Sequence, residues 1–183
     1  MTLEDFSNEI VGNIENKDPL TLFVNISQHR MVHHYLPKLI QAVQELDSHQ
    51  LWSKEGSCVN SVGGIVLHIC EHVKRNTIRF SDPNHKRFEK GIEDHFPESD
   101  ASSQELIQQI NESFTELNEV MKQLIENLPN EIDMHNLYHL VEHTGYHLGQ
   151  IVDRSKRLLH KSFDFCQNGL SEQSLRKIIE EDK

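Results

Sequence analysis

Apolar residues recur at helical spacing along every long stretch of this chain, and no run alternates apolar with polar as a half-buried strand does. Between Ser102 and Pro129, Leu106, Ile110, Leu117, Val120, Leu124 and Leu128 fall on one stripe. The pattern points to an all-α fold. Leu22, Ile26, Leu36, Leu39, Val43 and Leu46 predict a first helix over about 22–46, with Pro37 expected to kink or break it. "SHQLWSKEGSCVNS" interrupts the pattern, after which Asn60 or Ser61 caps a second helix running to about residue 79. Residues 81–101 read as a long polar connection, a length typical of a functional loop or a crossover between non-adjacent elements. A third helix starts at Ser102 or Ser103, a fourth covers about 133–160, and an irregular stretch with a short helix closes the chain. Four long amphipathic helices and one long connection describe a four-helix bundle with a crossover. We expect one domain over 1–183, with its core at about 22–160, an N-terminal extension at 1–20 and a tail at 161–183.

The length of 183 residues, 36% of them hydrophobic, suits one domain with a sizeable core. A net charge of -11, with no Lys/Arg cluster to offset it, opposes binding to a phosphate backbone, so no nucleic-acid partner is expected. Cys58, Cys70 and Cys166 are odd in number and form no C-x-x-C pair, which argues for reduced thiols rather than a disulfide framework or zinc knuckle. "MTLEDFSNEI" has no basic, then apolar, leader pattern, and no apolar run reaches the roughly 18 residues of a membrane span. The expected location is cytoplasmic, away from membranes. His33-His34 is too short for a purification tag, so all 13 histidines are read as native.

Chemistry concentrates in two strings of the form H-x-x-E-H, "HICEH" at 68–72 and "HLVEH" at 139–143. Inverted zinc peptidases use this motif, but they need a glutamate ligand far downstream and a larger fold, and only residues 144–183 follow the second string. A carboxylate-bridged di-iron bundle needs paired inward E-x-x-H motifs, which the second and fourth helices lack. On the fourth helix Leu137, Leu140, Val141, Thr144, Leu148, Ile151, Leu158 and Leu159 form the core stripe. At about 100° per residue His147 lies roughly 80° from its centre and His143 roughly 120°, with His139 and His135 nearly opposite. Val62, Ile65, Val66, Ile69 and Val73 make the stripe of the second helix, placing His72 at roughly 80° and His68 at roughly 120°. Periodicity therefore prefers His72 to His68. Three neutral imidazoles from two helices leave a coordination position open on a zinc-like ion, as a catalytic site requires. Against this stands the ordinary reading of a histidine-rich polar face. It assigns His29, His33, His34, His49, His85, His95, His135, His139 and His160 to surface or supporting positions, Glu71 and Glu142 to solvent, and Cys70 to the core or its boundary.

"NSVGGIVLHICEH" and "HLVEHTGYHLGQIVDRSKRL" resemble the second and fourth helices of the DinB-like metal-binding four-helix bundle superfamily, over about residues 25–160. The resemblance implies His68, His143 and His147 as metal ligands, overriding the preference for His72, which stays as the alternate. The two H-x-x-E-H strings then each lend one histidine to a shared site. It also implies close helix approach at Gly149 and a hydrogen bond near the ligands from Gln150. Relatives include bacillithiol transferases and a mycothiol-dependent isomerase. By that likeness the chain carries one divalent ion, zinc or nickel, forms a homodimer, and uses the ion to activate a low-molecular-weight thiol for S-transfer to a small-molecule substrate. The alternatives are a metal-dependent hydrolase that uses metal-bound water and a non-catalytic metal-binding stress-response protein.

Overall fold

Asp18, Asp47, Ser61, Ser102 and Asp133 each start a helix by accepting hydrogen bonds from backbone N–H groups that the first turn leaves unpaired. The computed structural model describes residues 18–181 except 83, 86, 87, 89 and 130. Most of the expected N-terminal extension therefore lies outside the described residues. Helix α1, Pro19–His29, continues through a π-helical turn, Arg30–Tyr35, into α2, Leu36–Val43. There follow α3, Ser48–Trp52; α4, Val62–Ser81; a 3-10 turn, Ile92–Asp94; α5, Ser103–Glu126; α6, Met134–Leu159; and α7, Glu172–Glu181. The described residues contain no strand, so the all-α class holds. None of the described helices is long and apolar enough to cross a membrane.

Pro37 does not end the helical path. It has no N–H to offer the carbonyl one turn earlier. The chain widens just before it, so that the Leu36 N–H reaches back five residues to the Met31 carbonyl. This extra residue shifts the helical phase. Val24 and Met31 join Leu39, Ala42 and Val43 in the core, whereas Leu22, Ile26 and Leu36 of the uninterrupted stripe are only partly buried.

Helix α3 falls inside the stretch that breaks the sequence pattern, held by an Asp47–Gln50 capping box. Its Trp52 packs flat on α4, where a Cβ added at Gly63 would stand 2.6 Å from the ring. The Trp52 indole N–H donates to the Ala101 carbonyl at 2.8 Å, tying α3 to the end of the polar connection. Gly63→Ala must displace that ring and strain this tie. We expect a loss of about 1–3 kcal/mol, the range for overpacking a filled site. Urea unfolding followed through the single tryptophan checks it; an unchanged midpoint and emission maximum would contradict the packing.

Helix α4 packs on α5 and α6, and the α1–α2 path packs on the same two helices. Ile65, Val66, Ile69 and Val73 of α4 join Leu106, Ile110 and Phe114 of α5 and Leu137, Leu140 and Ile151 of α6 in one apolar cluster. Each of these side chains contributes about 1.5–3 kcal/mol by leaving water. The connection after α4 runs back along that helix. Phe88 lies against Arg75 and Arg79, Glu93 faces His72, Phe96 stacks on His68, and the Pro97 carbonyl sits above Gly64. The connection thus delivers α5 to the end where α4 began, and α4 and α5 run parallel. Helix α7 docks on the π-helical turn through buried Leu175 and a paired contact of Glu172 with Arg30, at 2.8 and 2.9 Å. This docking decides between two readings: His34, assigned to a surface or supporting position, is buried beside Glu172 at 3.1 Å, so the surface alternative fails. His29, assigned to the same two alternatives, is buried on α1.

Candidate metal centre

Helices α4 and α6 run antiparallel, so the histidines of the two H-x-x-E-H strings meet across one seam. His68 lies against His147 and His143, with ring centroids 4.8 and 4.9 Å apart. His72 stacks on His143 at 3.8 Å and approaches His139 at 5.9 Å. His143 and His147, one turn apart on α6, are 4.4 Å apart. The three histidines expected to bind metal are therefore mutual neighbours, and the alternate, His72, is among them. Ligand atoms of His68, His72, His143 and Glu93 all lie within 4.8 Å of one another and could hold a metal ion. His147 stands beside this group and is not part of it.

Hydrogen bonds fix two of the rings. The His68 Nδ1 is 3.0 Å from the His95 carbonyl, and only an N–H can bond a carbonyl, so Nε2 keeps the lone pair. His147 Nδ1–H donates in the same way to Gln150 Oε1 at 2.9 Å, again leaving Nε2 bare. Outer partners of this kind set the tautomer and aim of metal-binding histidines. Gln150 thus has the supporting contact expected of it. Gly149 does not make the close approach expected: it is exposed, with no atom within 4 Å of a built Cβ.

The donor set suits a divalent ion. His68 Nε2 and His143 Nε2 face each other at 3.1 Å. Two nitrogens at Zn–N lengths of 2.0–2.1 Å and a tetrahedral angle stand about 3.3 Å apart. His72 Nε2 and His143 Nδ1 are buried without a hydrogen-bond partner. Burial, followed by repulsion from neighbouring imidazoles, pushes His72 down to about 3 and His143 to about 2. His68 and His147 are lowered as well, chiefly by burial. All four rings are neutral at pH 7, the form that binds metal. Glu93 supplies the negative charge, its carboxylate oxygens 3.9 Å from His72 Nε2 and 3.8 Å from His143 Nε2.

Two features escaped the sequence reading. Glu93 sits in the polar connection, where no periodicity points to it. The signal available was Gly91, whose left-handed φ of 98° makes the turn that carries Ile92–Asp94 over α4. The second is the full burial of His68, which ideal phase placed off the core. Phe96 stacks on its ring with centroids 4.2 Å apart, so the connection covers that side of α4. His33, His49, His85, His95, His135 and His160 are exposed as expected, whereas His139 is partly buried. Glu142 is exposed, and Glu71 pairs with Arg75 at 2.7 Å. Cys70 is buried, which raises its thiol to about 11 and makes it a core group.

A hollow of about 400 Å³ opens on His143 and His147 between Asn60, Tyr146 and Arg154. A second, of about 590 Å³, opens on His72 and Glu93 from the other side. Neither a protein-family model, nor a curated protein, nor a solved structure matches the chain.

Proposed function

We propose that the chain is a DinB-like metalloprotein that activates a low-molecular-weight thiol for transfer to a small electrophile. In this reading α1–α2, α4, α5 and α6 are the four helices of a bundle, and the connection between α4 and α5 is its crossover. His68, His143 and His147 would hold one divalent ion, zinc or nickel, and Glu93 would add an oxygen donor beside them. The observation that carries the reading is the pair of facing Nε2 atoms of His68 and His143 at 3.1 Å, with the outer nitrogen of His68 already tied to a carbonyl. An ion there supplies acidity to a bound thiol, so that thiolate forms at neutral pH.

The chain's own residues do the positioning. The His95 carbonyl and Gln150 hold two rings in register, and Phe96 keeps water from one face of His68. The hollow lined by Asn60, Tyr146 and Arg154 admits the thiol. The Arg154 guanidinium, anchored by donating to the Asn60 carbonyl, gives that hollow a cation for the thiol's carboxylate.

The placement of Glu93 favours a second reading, hydrolysis, because an exposed carboxylate next to His143 is positioned to take a proton from water. X-ray absorption at the metal edge separates the two. Added thiol is expected to bring a sulfur scatterer to about 2.3 Å, the distance of a zinc thiolate. Nitrogen and oxygen neighbours alone, with turnover of an ester and no need for thiol, would establish the hydrolase. Firm metal binding with neither result would leave a non-catalytic metal protein. The homodimer belongs to the same proposal, and sedimentation at micromolar concentration checks it: a lone 21.3 kDa species rejects it.

A further inference from the structure

The larger hollow, about 590 Å³, begins at the metal centre and runs between α4 and the connection toward the C-terminal end of α4. His72, Arg75, Asn76 and Arg79 line it from one face of α4 at spacings of three, four and seven residues. At 1.5 Å per residue, Arg75 stands about 4.5 Å and Arg79 about 10 Å along the helix from His72. Both guanidiniums lie over the Phe88 ring, 5.3 and 5.6 Å from its centroid. Hydrogen bonds aim them further: Arg75 Nε donates to Glu71 Oε1 at 2.7 Å, and Arg79 Nη1 to Asn76 Oδ1 at 2.8 Å.

Cations are denser in the lining of this hollow than in the chain as a whole. Lys90 adds a third cation, and the facing carboxylates are Asp82, Glu93 and Asp133. Each of those has other work. Asp82 accepts from the Asn84 N–H at 3.0 Å, Asp133 caps α6 through the Asn136 N–H at 3.0 Å, and Glu93 faces the imidazoles. In a chain of net charge -11, three cations against three carboxylates leave this lining balanced, so a small anion meets less repulsion here than over the rest of the surface. Paired guanidiniums match the geometry of carboxylate and phosphate oxygens better than lysines do.

We infer that this hollow holds the carboxylate or phosphate group of a small molecule on Arg79 and Arg75, with the molecule's other end toward the metal centre, at whose edge His72 stands about 5–10 Å away by the helical rise. That this molecule is the substrate rests on the proposed function; the anion site itself does not.

Calorimetric titration of the purified protein with inorganic phosphate and with succinate, metal-loaded and after chelation, tests it. We expect at least one probe to saturate with a dissociation constant on the order of millimolar. Arg79→Gln should weaken that binding at least tenfold in both metal states, and Arg75→Gln should weaken it in the same direction. Lys122→Gln, on the exposed face of α5, should leave it unchanged. Saturation by phosphate alone or by succinate alone names the group. Absence of saturable binding by either probe overturns the inference, as does equal affinity in the wild type and both arginine variants. Binding that vanishes on chelation yet ignores Arg79→Gln overturns it too, by placing the anion on the ion. Anion binding that depends on Arg79 in a protein that turns over no thiol sustains this inference and defeats the proposed function.

Discussion

His143→Ala is expected to empty the metal centre, lowering affinity for a divalent ion by about a thousandfold or more, since loss of a mere outer partner already costs 10–100-fold. His143 occupies the middle of the cluster. Its Nε2 faces His68 Nε2 at 3.1 Å and Glu93 at 3.8 Å, its ring stacks on His72 at 3.8 Å, and His147 is one turn away at 4.4 Å. Both candidate donor groups, His68 with His143 and His147, and His68 with His72, His143 and Glu93, include His143 and His68. The fold should survive, because the substitution removes a buried ring whose Nδ1 has no partner. Elemental analysis, paired with thermal melting of the chelated protein, separates ligand loss from unfolding. His135→Ala, on the exposed side of α6, should keep its metal. Full occupancy in His143→Ala would sink the proposed centre. The third ligand is decided by a second pair of variants. His147→Ala is expected to lose metal and His72→Ala to keep most of it. The reverse would move the ion to the group made by His68, His72, His143 and Glu93.

Local signals carried the helices and chain-distant ones did not. Ser61, Ser102 and Asp133 cap where side-chain chemistry says they should, and the α4 stripe buries in full, whereas Val120 and Leu124 of α5, Leu128 just past its end, and Val141, Leu158 and Leu159 of α6 are only partly buried. The first helix defeated the same method because a π-helical turn resets the phase ahead of Pro37. Periodicity also ranked His72 above His68, and the structure buries both. A helical wheel describes one helix against one core. It does not contain the connection that folds back over α4, lays Phe96 on His68 and brings Glu93 to His72 and His143. The His139–His143–His147 ladder was legible as a ladder. Its meeting with both histidines of HICEH, rather than one, follows from the antiparallel seam and so lay beyond the reach of spacing alone.

Acid should destabilise the chelated protein steeply, and the four clustered imidazoles set the sign. Burial and mutual repulsion hold His72 at about 3 and His143 at about 2 in the folded chain. Unfolded, each returns to about 6.5. Between those values the unfolded chain binds protons that the folded chain refuses, so stability rises with pH and is lost as pH falls below about 6.5. Each such histidine costs about 1.4 kcal/mol per pH unit in that window. His72 and His143 together account for about 3 kcal/mol between pH 6.5 and 5, a large share of the 5–15 kcal/mol that typically holds a domain folded. His68 and His147, lowered in the same direction, steepen the loss. Urea midpoints at pH 7.5, 6.5, 5.5 and 5 should therefore hold steady between the first two and then drop. The double variant His72→Gln with His143→Gln should flatten the drop. Saturating metal should move it to lower pH, because an ion bound only by the folded state stabilises that state by mass action. If the chelated protein keeps one midpoint from pH 7.5 to 5, the folded and unfolded chains bind the same protons, so the imidazoles titrate as freely in the fold as outside it and the neutral buried cluster is refuted.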